Sequence, residues 1–69
     1  MKTISISSPC YNEEDNVEEC YRVVKELFEG PLKGYKREHV FADNASTDRT
    51  VEILREIAAK DPAVKVVVN

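Results

Sequence analysis

The chain has 69 residues, a length at which a domain buries only about 60% of its unfolded surface, so a second domain is excluded. Hydrophobic residues make up 42% of the chain and charged residues 33%, a balance that indicates a globular segment and excludes a disordered one. Thirteen acidic and ten basic residues are interspersed and give a formal charge of −3, so no nucleic-acid partner is expected.

The two cysteines and the amino-terminal residues bear on the cellular compartment. Cys10 and Cys20 are too few for a disulfide framework or a zinc site and are interpreted as reduced thiols. The first residues lack the apolar core of a signal peptide, and no later run is long enough to span a bilayer. We therefore expect a cytoplasmic protein.

The first half of the chain predicts a strand followed by a helix. Isoleucine and serine alternate over Thr3–Ser8, and Pro9 is expected to end this strand because it lacks a backbone donor. From Asn16 onwards the apolar residues recur at helical spacing, and Gly30 with Pro31 should end the helix. Its expected N-terminal cap is a side chain, with an acid at the third position of a capping box. The candidates for these two roles are Asp15 or Asn16, and Glu18 or Glu19.

The second half repeats this order and adds a third strand. Residues Tyr35–Asp43 predict a strand, and the polar segment Asn44–Asp48 predicts a turn. A helix capped by Thr47 or Asp48 should follow and end near Lys60. The β-branched run Val64–Val68 is interpreted as a buried strand.

Strand and helix alternate along the chain, which favours an α/β fold with a parallel sheet and right-handed crossovers, a Rossmann-like β-α-β-α-β half of a doubly wound domain. In such folds ligands bind beyond the carboxyl ends of the strands. The polar clusters PCYNEE and DNASTD each follow a predicted strand at that edge. If the two strands are neighbours, the clusters can share one ligand.

The chemistry of these clusters suits a nucleotide. Tyr11 offers a flat face to a base, Pro9 shapes the loop, and Glu13 can accept hydrogen bonds from ribose or base groups. Asp43 and Asn44 can read the edge of a base. Dinucleotide-binding and Walker glycine patterns are absent.

Each of these residues also has a structural interpretation. Tyr11 can cover the sheet edge, and Glu13 can be a solvated acid. Ser46, Thr47 and Asp48 are common at helix starts and are best explained as caps. No catalytic role is predicted for the lone histidine, His39, or for Cys10, which has no activating partner in the sequence.

The motifs P-x-Y-N-E-x and D-[DN]-x-S-x-D, in this order and separation, resemble the amino-terminal part of family 2 glycosyltransferases. The resemblance is to the polyprenyl-phosphate sugar transferases, such as the dolichyl-phosphate mannose synthases. It implies a GT-A fold and inverting transfer of a hexose from a UDP- or GDP-sugar to a lipid-phosphate or saccharide acceptor. By the same resemblance, the nucleotide-sugar is lined by Pro9, Tyr11, Glu13, Asp43 and Asn44.

The resemblance also implies parts that residues 1–69 lack. Family members carry a D-x-D site for a divalent metal, Mg or Mn, and this sequence has no such motif. We therefore expect residues 1–69 to be an incomplete, nucleotide-binding portion of a longer enzyme, with no catalytic or metal residue of its own and no activity alone. The full-length protein is expected at the cytoplasmic face of the membrane, and its exposed sheet edge is expected to favour oligomers.

This sequence departs from the family pattern at several positions. Asn44 replaces the commoner aspartate, so which of Asp43 and Asn44 contacts the base stays open. Ser5, Ser7 and Ser8 stand in a strand that is usually apolar. The alternative function is a noncatalytic α/β interaction module whose sheet packs against another subunit. A nucleotidyltransferase would need a glycine-rich, basic loop after the first strand, which PCYNEE is not.

Overall fold

A computed structural model describes all 69 residues as one parallel sheet and two helices. The elements in chain order are β1 (Thr3–Cys10), α1 (Val17–Glu29), β2 (Lys36–Asp43), α2 (Thr50–Lys60) and β3 (Val64–Val68). The sheet order is β1-β2-β3, and both neighbouring pairs are parallel. The predicted α/β class, element order and parallel pairing are therefore confirmed.

Strand β1 continues through Pro9 to Cys10, so the prediction that Pro9 ends the strand was wrong. The reason lies in the sheet order, because β1 is an edge strand. The carbonyls of Lys2 and Cys10 accept hydrogen bonds from β2 and from the residue after it, so even-numbered residues of β1 point their backbone groups inwards. Pro9 is odd-numbered and faces the open edge, where its missing N–H breaks no ladder bond.

Helix α1 begins without the side-chain cap that the sequence predicts. Asn16 occupies the N-cap position, but its side chain makes no capping hydrogen bond. The carbonyl of Glu13 instead accepts the N–H groups of Asn16 and Val17, each at 2.9 Å. A backbone turn thus starts this helix, and the capping prediction was wrong. The helix ends as predicted at Gly30, whose N–H donates to the Glu26 carbonyl at 3.1 Å.

Helix α2 begins close to the predicted position. Its N-cap position is Arg49, one residue later than predicted, and that side chain makes no capping bond. Asp48 still serves the helix start, because its Oδ1 accepts the N–H of Thr50 at 2.9 Å. The side chain named in the prediction therefore caps the first turn from one position earlier.

Both helices pack on one face of the sheet. Phe41 and Leu54 are fully buried there, Val17 is nearly so, and Cys10 and Val64 complete the core cluster. The prediction that β3 is a buried strand was wrong for its second half, since Val67 is 50% exposed and Val68 is 44% exposed. As an edge strand, β3 is covered by α2 on one face only, and a run of valines carries no period that would reveal this.

The polar residues of the sheet have two different explanations. Ser5 points away from the helices and donates to Glu38 Oε1 at 2.8 Å, on the uncovered face. Arg37 and His39 lie on the helix face, where each finds a partner: Asp61 Oδ2 is 2.7 Å from Arg37 Nη2, and Ser8 Oγ is 2.8 Å from His39 Nε2. Each of these polar side chains thus has one partner within the fold, while Arg37 Nη1 and His39 Nδ1 are buried without one.

His39 makes the stability of this core sensitive to pH. It is fully buried, its ring centroid lies 4.0 Å from that of Phe41, and its Nδ1 has no hydrogen-bond partner. Burial lowers the pKa of His39 below the ordinary value of 6.5; the nearby Arg37 lowers it further, and Asp61 opposes the change. The imidazole is therefore neutral in the folded protein at neutral pH.

We expect the free energy of unfolding to fall as the pH is lowered from 7 to 5. The unfolded chain takes up the proton first, so the stabilisation is complete above pH 6.5 and is lost towards the lower folded-state pKa. One proton limits the slope to about 1.4 kcal/mol per pH unit. Urea titrations of the parent and of His39→Phe at several pH values measure the effect. Since His39 is the sole histidine, an equally steep slope in His39→Phe would contradict this origin.

Candidate functional site

The carboxyl ends of β1 and β2 lie side by side, as the sequence predicts. Cys10 pairs with Asp43 at the ends of the two strands. The N–H of Asn44 donates to the carbonyl of Cys10 at 2.8 Å, which carries the ladder one residue beyond β2. The β1–α1 loop, residues 11–16, and the β2–α2 loop, residues 44–49, therefore leave the sheet as neighbours.

The predicted binding residues of the first loop take two different positions. Tyr11 is 57% exposed, so its ring is free to contact a ligand. Pro9 and Glu13 line a cavity of about 230 Å³ beside the edge of β1, which is also lined by Cys10 and Cys20. Tyr11 does not line this cavity. The structure thus brings these three residues to one end of the sheet without joining them in a single pocket.

Asp43 and Asn44 differ sharply in accessibility. Asp43 is fully buried. Its Oδ2 accepts the N–H of Ser46 at 2.9 Å, and its Oδ1 accepts the Ser46 hydroxyl. Asn44 is exposed, and its side chain makes no hydrogen bond within the protein. Of the two adjacent polar residues, only Asn44 presents its side chain to solvent in this conformation.

A set of hydrogen bonds that the sequence reasoning missed joins the two loops. Three successive backbone N–H groups of the first loop donate to side chains of the segment that starts α2. The pairs are Asn12 N to Ser46 Oγ at 2.9 Å, Glu13 N to Thr50 Oγ1 at 2.8 Å, and Glu14 N to Asp48 Oδ2 at 3.2 Å. A fourth bond runs in the opposite direction: the N–H of Thr47 donates to Asn12 Oδ1 at 2.8 Å. We call these four bonds the loop clamp.

One sequence signal could have pointed to the loop clamp. Asp43, Ser46, Asp48 and Thr50 place four short oxygen-bearing side chains within eight residues, more than one helix cap needs. A cap uses the N–H groups of its own helix, whereas the oxygens of Ser46, Asp48 and Thr50 accept from backbone donors more than 30 residues away. Only the distance between the loops in the fold reveals those acceptor roles.

The thiol of Cys10 is not arranged as a nucleophile. Burial raises the pKa of Cys10 above its ordinary value, and the neighbouring Cys20, Asp43 and Glu13 raise it further. The thiol is therefore protonated at neutral pH, and a protonated thiol is a poor nucleophile. Its contact with the Ser8 carbonyl, at 3.6 Å, is that of a packed core residue.

Residues 1–69 do not form a binding set for a divalent metal. No three histidine, cysteine, aspartate or glutamate side chains converge closely enough to hold an ion. The residues present therefore do not fit the metal that the resemblance implies. Neither α1 nor α2 has the length and apolar character needed to cross a bilayer.

Together the sheet and its loops define a class of protein: a Rossmann-like parallel α/β unit whose polar loops follow the carboxyl ends of adjacent strands, where such folds bind their ligands. The family model for glycosyl transferase family 2 matches residues 5–69. The chain therefore belongs to glycosyl transferase family 2, and its β-α-β-α-β unit is part of a GT-A fold, as the motifs in the sequence predict.

The curated relatives that the chain resembles are themselves described as sugar transferases. The chain is 41% identical, over 91% of its length, to an uncharacterized glycosyltransferase, YkcC, of Bacillus subtilis (strain 168). It is 39% identical, over 88% of its length, to a prophage bactoprenol glucosyl transferase homolog of Escherichia coli (strain K12). It is 38% identical, over 93% of its length, to a dolichol-phosphate mannosyltransferase of Pyrococcus furiosus.

The match covers a small part of each relative. The chain spans 19% of the length of the Bacillus and Escherichia proteins and 17% of the Pyrococcus protein. No solved structure gives a significant match.

Proposed function

We propose that the chain is the nucleotide-sugar-binding segment of an inverting glycosyltransferase, which transfers a hexose from a UDP- or GDP-sugar to an acceptor such as a polyprenyl phosphate. One observation carries the proposal. In a chain of this family, Tyr11 and Asn44 are both exposed, and they lie on two neighbouring loops at the carboxyl edge of a parallel sheet. That edge is where α/β folds bind nucleotides. The relatives named for bactoprenol and for dolichol-phosphate support the lipid acceptor.

The proposed roles follow from the chemistry of each side chain. Tyr11 stacks on the base, Pro9 holds the loop in shape, and Glu13 accepts hydrogen bonds from the ribose. Asn44 reads the edge of the base with an amide that both donates and accepts. Asp43 contributes indirectly, because its carboxylate accepts two hydrogen bonds from Ser46 and so fixes the second loop.

The loop clamp indicates which part of the nucleotide-sugar, the nucleoside or the diphosphate, this edge of the sheet would bind. Backbone N–H groups after a strand often bind phosphate at the start of a helix. In this protein the N–H groups of Asn12, Glu13 and Glu14 are already bonded to side chains of the other loop. The edge therefore suits the nucleoside better than the diphosphate, whose charge needs groups elsewhere in the intact protein, such as the proposed Mg or Mn.

Replacing the Tyr11 ring tests the proposal directly. We expect Tyr11→Ala to weaken binding of UDP or GDP by the intact protein about fivefold, because lost stacking costs about 1 kcal/mol. Isothermal titration with each nucleotide measures this. Tyr35→Ala is the matched control, since Tyr35 is 42% exposed but precedes β2, at the opposite edge of the sheet.

The result also separates the two candidate functions. Saturable binding that depends on Tyr11 but not on Tyr35 supports the nucleotide site. If neither nucleotide binds the intact protein, the noncatalytic interaction module becomes the better explanation. The exposed valines at the end of β3, Val67 and Val68, favour that alternative as a contact surface for another subunit.

The rest of the reaction is assigned to the intact protein. We propose that residues 1–69, the nucleotide-binding portion, show no transferase activity when prepared alone, because they form no metal site. We further propose that the intact enzyme works at the cytoplasmic face of the membrane, where a polyprenyl phosphate acceptor would be embedded. Turnover of a labelled sugar donor by residues 1–69 alone would overturn the first of these statements.

A further inference from the structure

The loop clamp is anchored in the core through two hydroxyl groups. Each hydroxyl accepts a hydrogen bond from a backbone N–H of the first loop and donates one to a carboxylate, which lies at the end of β2 for Ser46 and in the second loop for Thr50. Ser46 Oγ joins Asn12 N to Asp43, and Thr50 Oγ1 joins Glu13 N to Asp48. Asp43 and Thr50 are fully buried, so neither relay can swing into solvent without opening the protein. The position of the first loop is thus set from the second.

Both loops contain a residue in the left-handed region of backbone space. Asn12 has φ of 50° and Ala45 has φ of 58°. Asparagine tolerates this region, whereas an alanine there is disfavoured by contacts of its Cβ with the backbone. Such a conformation persists only where surrounding bonds hold it. The bonds flanking these two residues are those of the clamp, from Asn12 to Ser46 and Thr47.

The clamp brackets the two exposed side chains of the edge. Tyr11 lies between Cys10, whose carbonyl is bonded to Asn44 N, and Asn12, which is clamped to the second loop. Asn44 lies between the buried Asp43 and Ser46, and the N–H of Ser46 donates to the Asp43 carboxylate. Two side chains that make no hydrogen bond to each other are therefore held at a set separation by their backbone neighbours.

We propose that Ser46 and Asn12 are positioning residues that hold Tyr11 and Asn44 ready for the base of the nucleotide before it binds. The inference rests on the proposed function and adds two residues to it. A preorganised site avoids the entropy loss of ordering a loop at the moment of binding. Fixing the backbone of even one residue costs about 1–2 kcal/mol, which corresponds to a fivefold to thirtyfold loss of affinity when the clamp is cut.

The test is a double-mutant cycle on the intact protein, with UDP and GDP as probes. Ser46→Ala should raise Kd about five- to tenfold, and Ser46→Thr, which keeps the hydroxyl, should recover most of the affinity. In a Tyr11→Ala background the Ser46→Ala change should cost less than about twofold, because coupled residues are not additive. Ser7→Ala is the matched control, since that exposed serine lies on the uncovered face of the sheet.

A second variant covers the case in which Ser46→Ala does not fold. Asn12→Gly tolerates the left-handed conformation but removes the acceptor of the Thr47 N–H, and it should raise Kd in the same direction. Circular dichroism checks that each variant is folded. Unchanged Kd in the folded clamp variants, or full additivity with Tyr11→Ala, overturns the positioning role and leaves the nucleotide site standing. Binding of neither nucleotide by the parent protein removes both proposals.

Discussion

Phe41→Ala is expected to remove most of the stability of the fold, by about 3–5 kcal/mol. Phe41 is fully buried on the central strand, packed in the core cluster that joins the sheet to both helices. Neighbouring residues cannot move to fill the cavity that the lost ring would leave, because β2 is paired with β1 on one side and with β3 on the other. A chain of 69 residues has a total stability of only about 3–10 kcal/mol. Urea unfolding followed by circular dichroism measures the change.

Two controls give this result its meaning. Phe41→Leu keeps most of the apolar volume and should cost clearly less than Phe41→Ala. Leu27→Ala removes a leucine that is 41% exposed on α1, and it should cost about 1 kcal/mol or less. Similar losses for Phe41→Ala and Leu27→Ala would mean that the core does not lie where the structure places it.

Asp61→Ala is expected to destabilise the fold by about 3 kcal/mol, through a different mechanism. Asp61 follows α2, and its side chain is only 12% exposed. Its Oδ2 accepts hydrogen bonds from Arg37 Nη2 and the Tyr21 hydroxyl, both at 2.7 Å, and its Oδ1 accepts the N–H of Ala63 at 3.0 Å. Removing the carboxylate leaves the Arg37 charge, itself 16% exposed, without its partner. The other terminal nitrogen of this arginine, Nη1, has no hydrogen-bond partner even in the parent protein.

The double variant Arg37→Met with Asp61→Ala distinguishes a lost ion pair from a lost packing contact. It leaves no unpaired charge, so it should be more stable than Asp61→Ala alone, as measured by urea unfolding. Asp15→Ala is the surface control, because Asp15 is exposed and should change stability by less than about 0.5 kcal/mol. A double variant that is less stable than Asp61→Ala would show that the arginine is held by other groups.

The same carboxylate has a defined pH dependence. Burial alone would raise the pKa of Asp61, but the hydrogen bonds from Tyr21, Arg37 and the Ala63 backbone outweigh it and lower the pKa below the ordinary value of 3.8. The stabilisation is therefore complete above that value and is lost as the pH falls through the folded-state pKa. The loss of stability due to Asp61 begins below pH 3.8, whereas the loss due to His39 begins near pH 6.5, so the two effects start at different points of one pH series.

Most of the candidate site's location could be predicted from the sequence. PCYNEE and DNASTD each follow a strand, and parallel strands bring such clusters to the same edge whatever the details of packing. The accessibility of the individual residues could not be predicted. Asp43 and Asn44 are adjacent polar residues, yet Asp43 is fully buried beneath Ser46, which donates two hydrogen bonds to it, and Asn44 is exposed in the loop that follows β2.

Local periodicity and chain connectivity were enough to predict the order of strands and helices, the parallel class of the sheet and the edge that carries the polar loops. Three features required the folded structure: Pro9 lies within an edge strand, the Glu13 carbonyl starts α1 in place of a side-chain cap, and the end of β3 is exposed. The folded structure also showed that Ser46 and Thr50 hold the first loop. The two loop contacts join residues 34 and 37 positions apart, and local patterns carry no information about such distant partners.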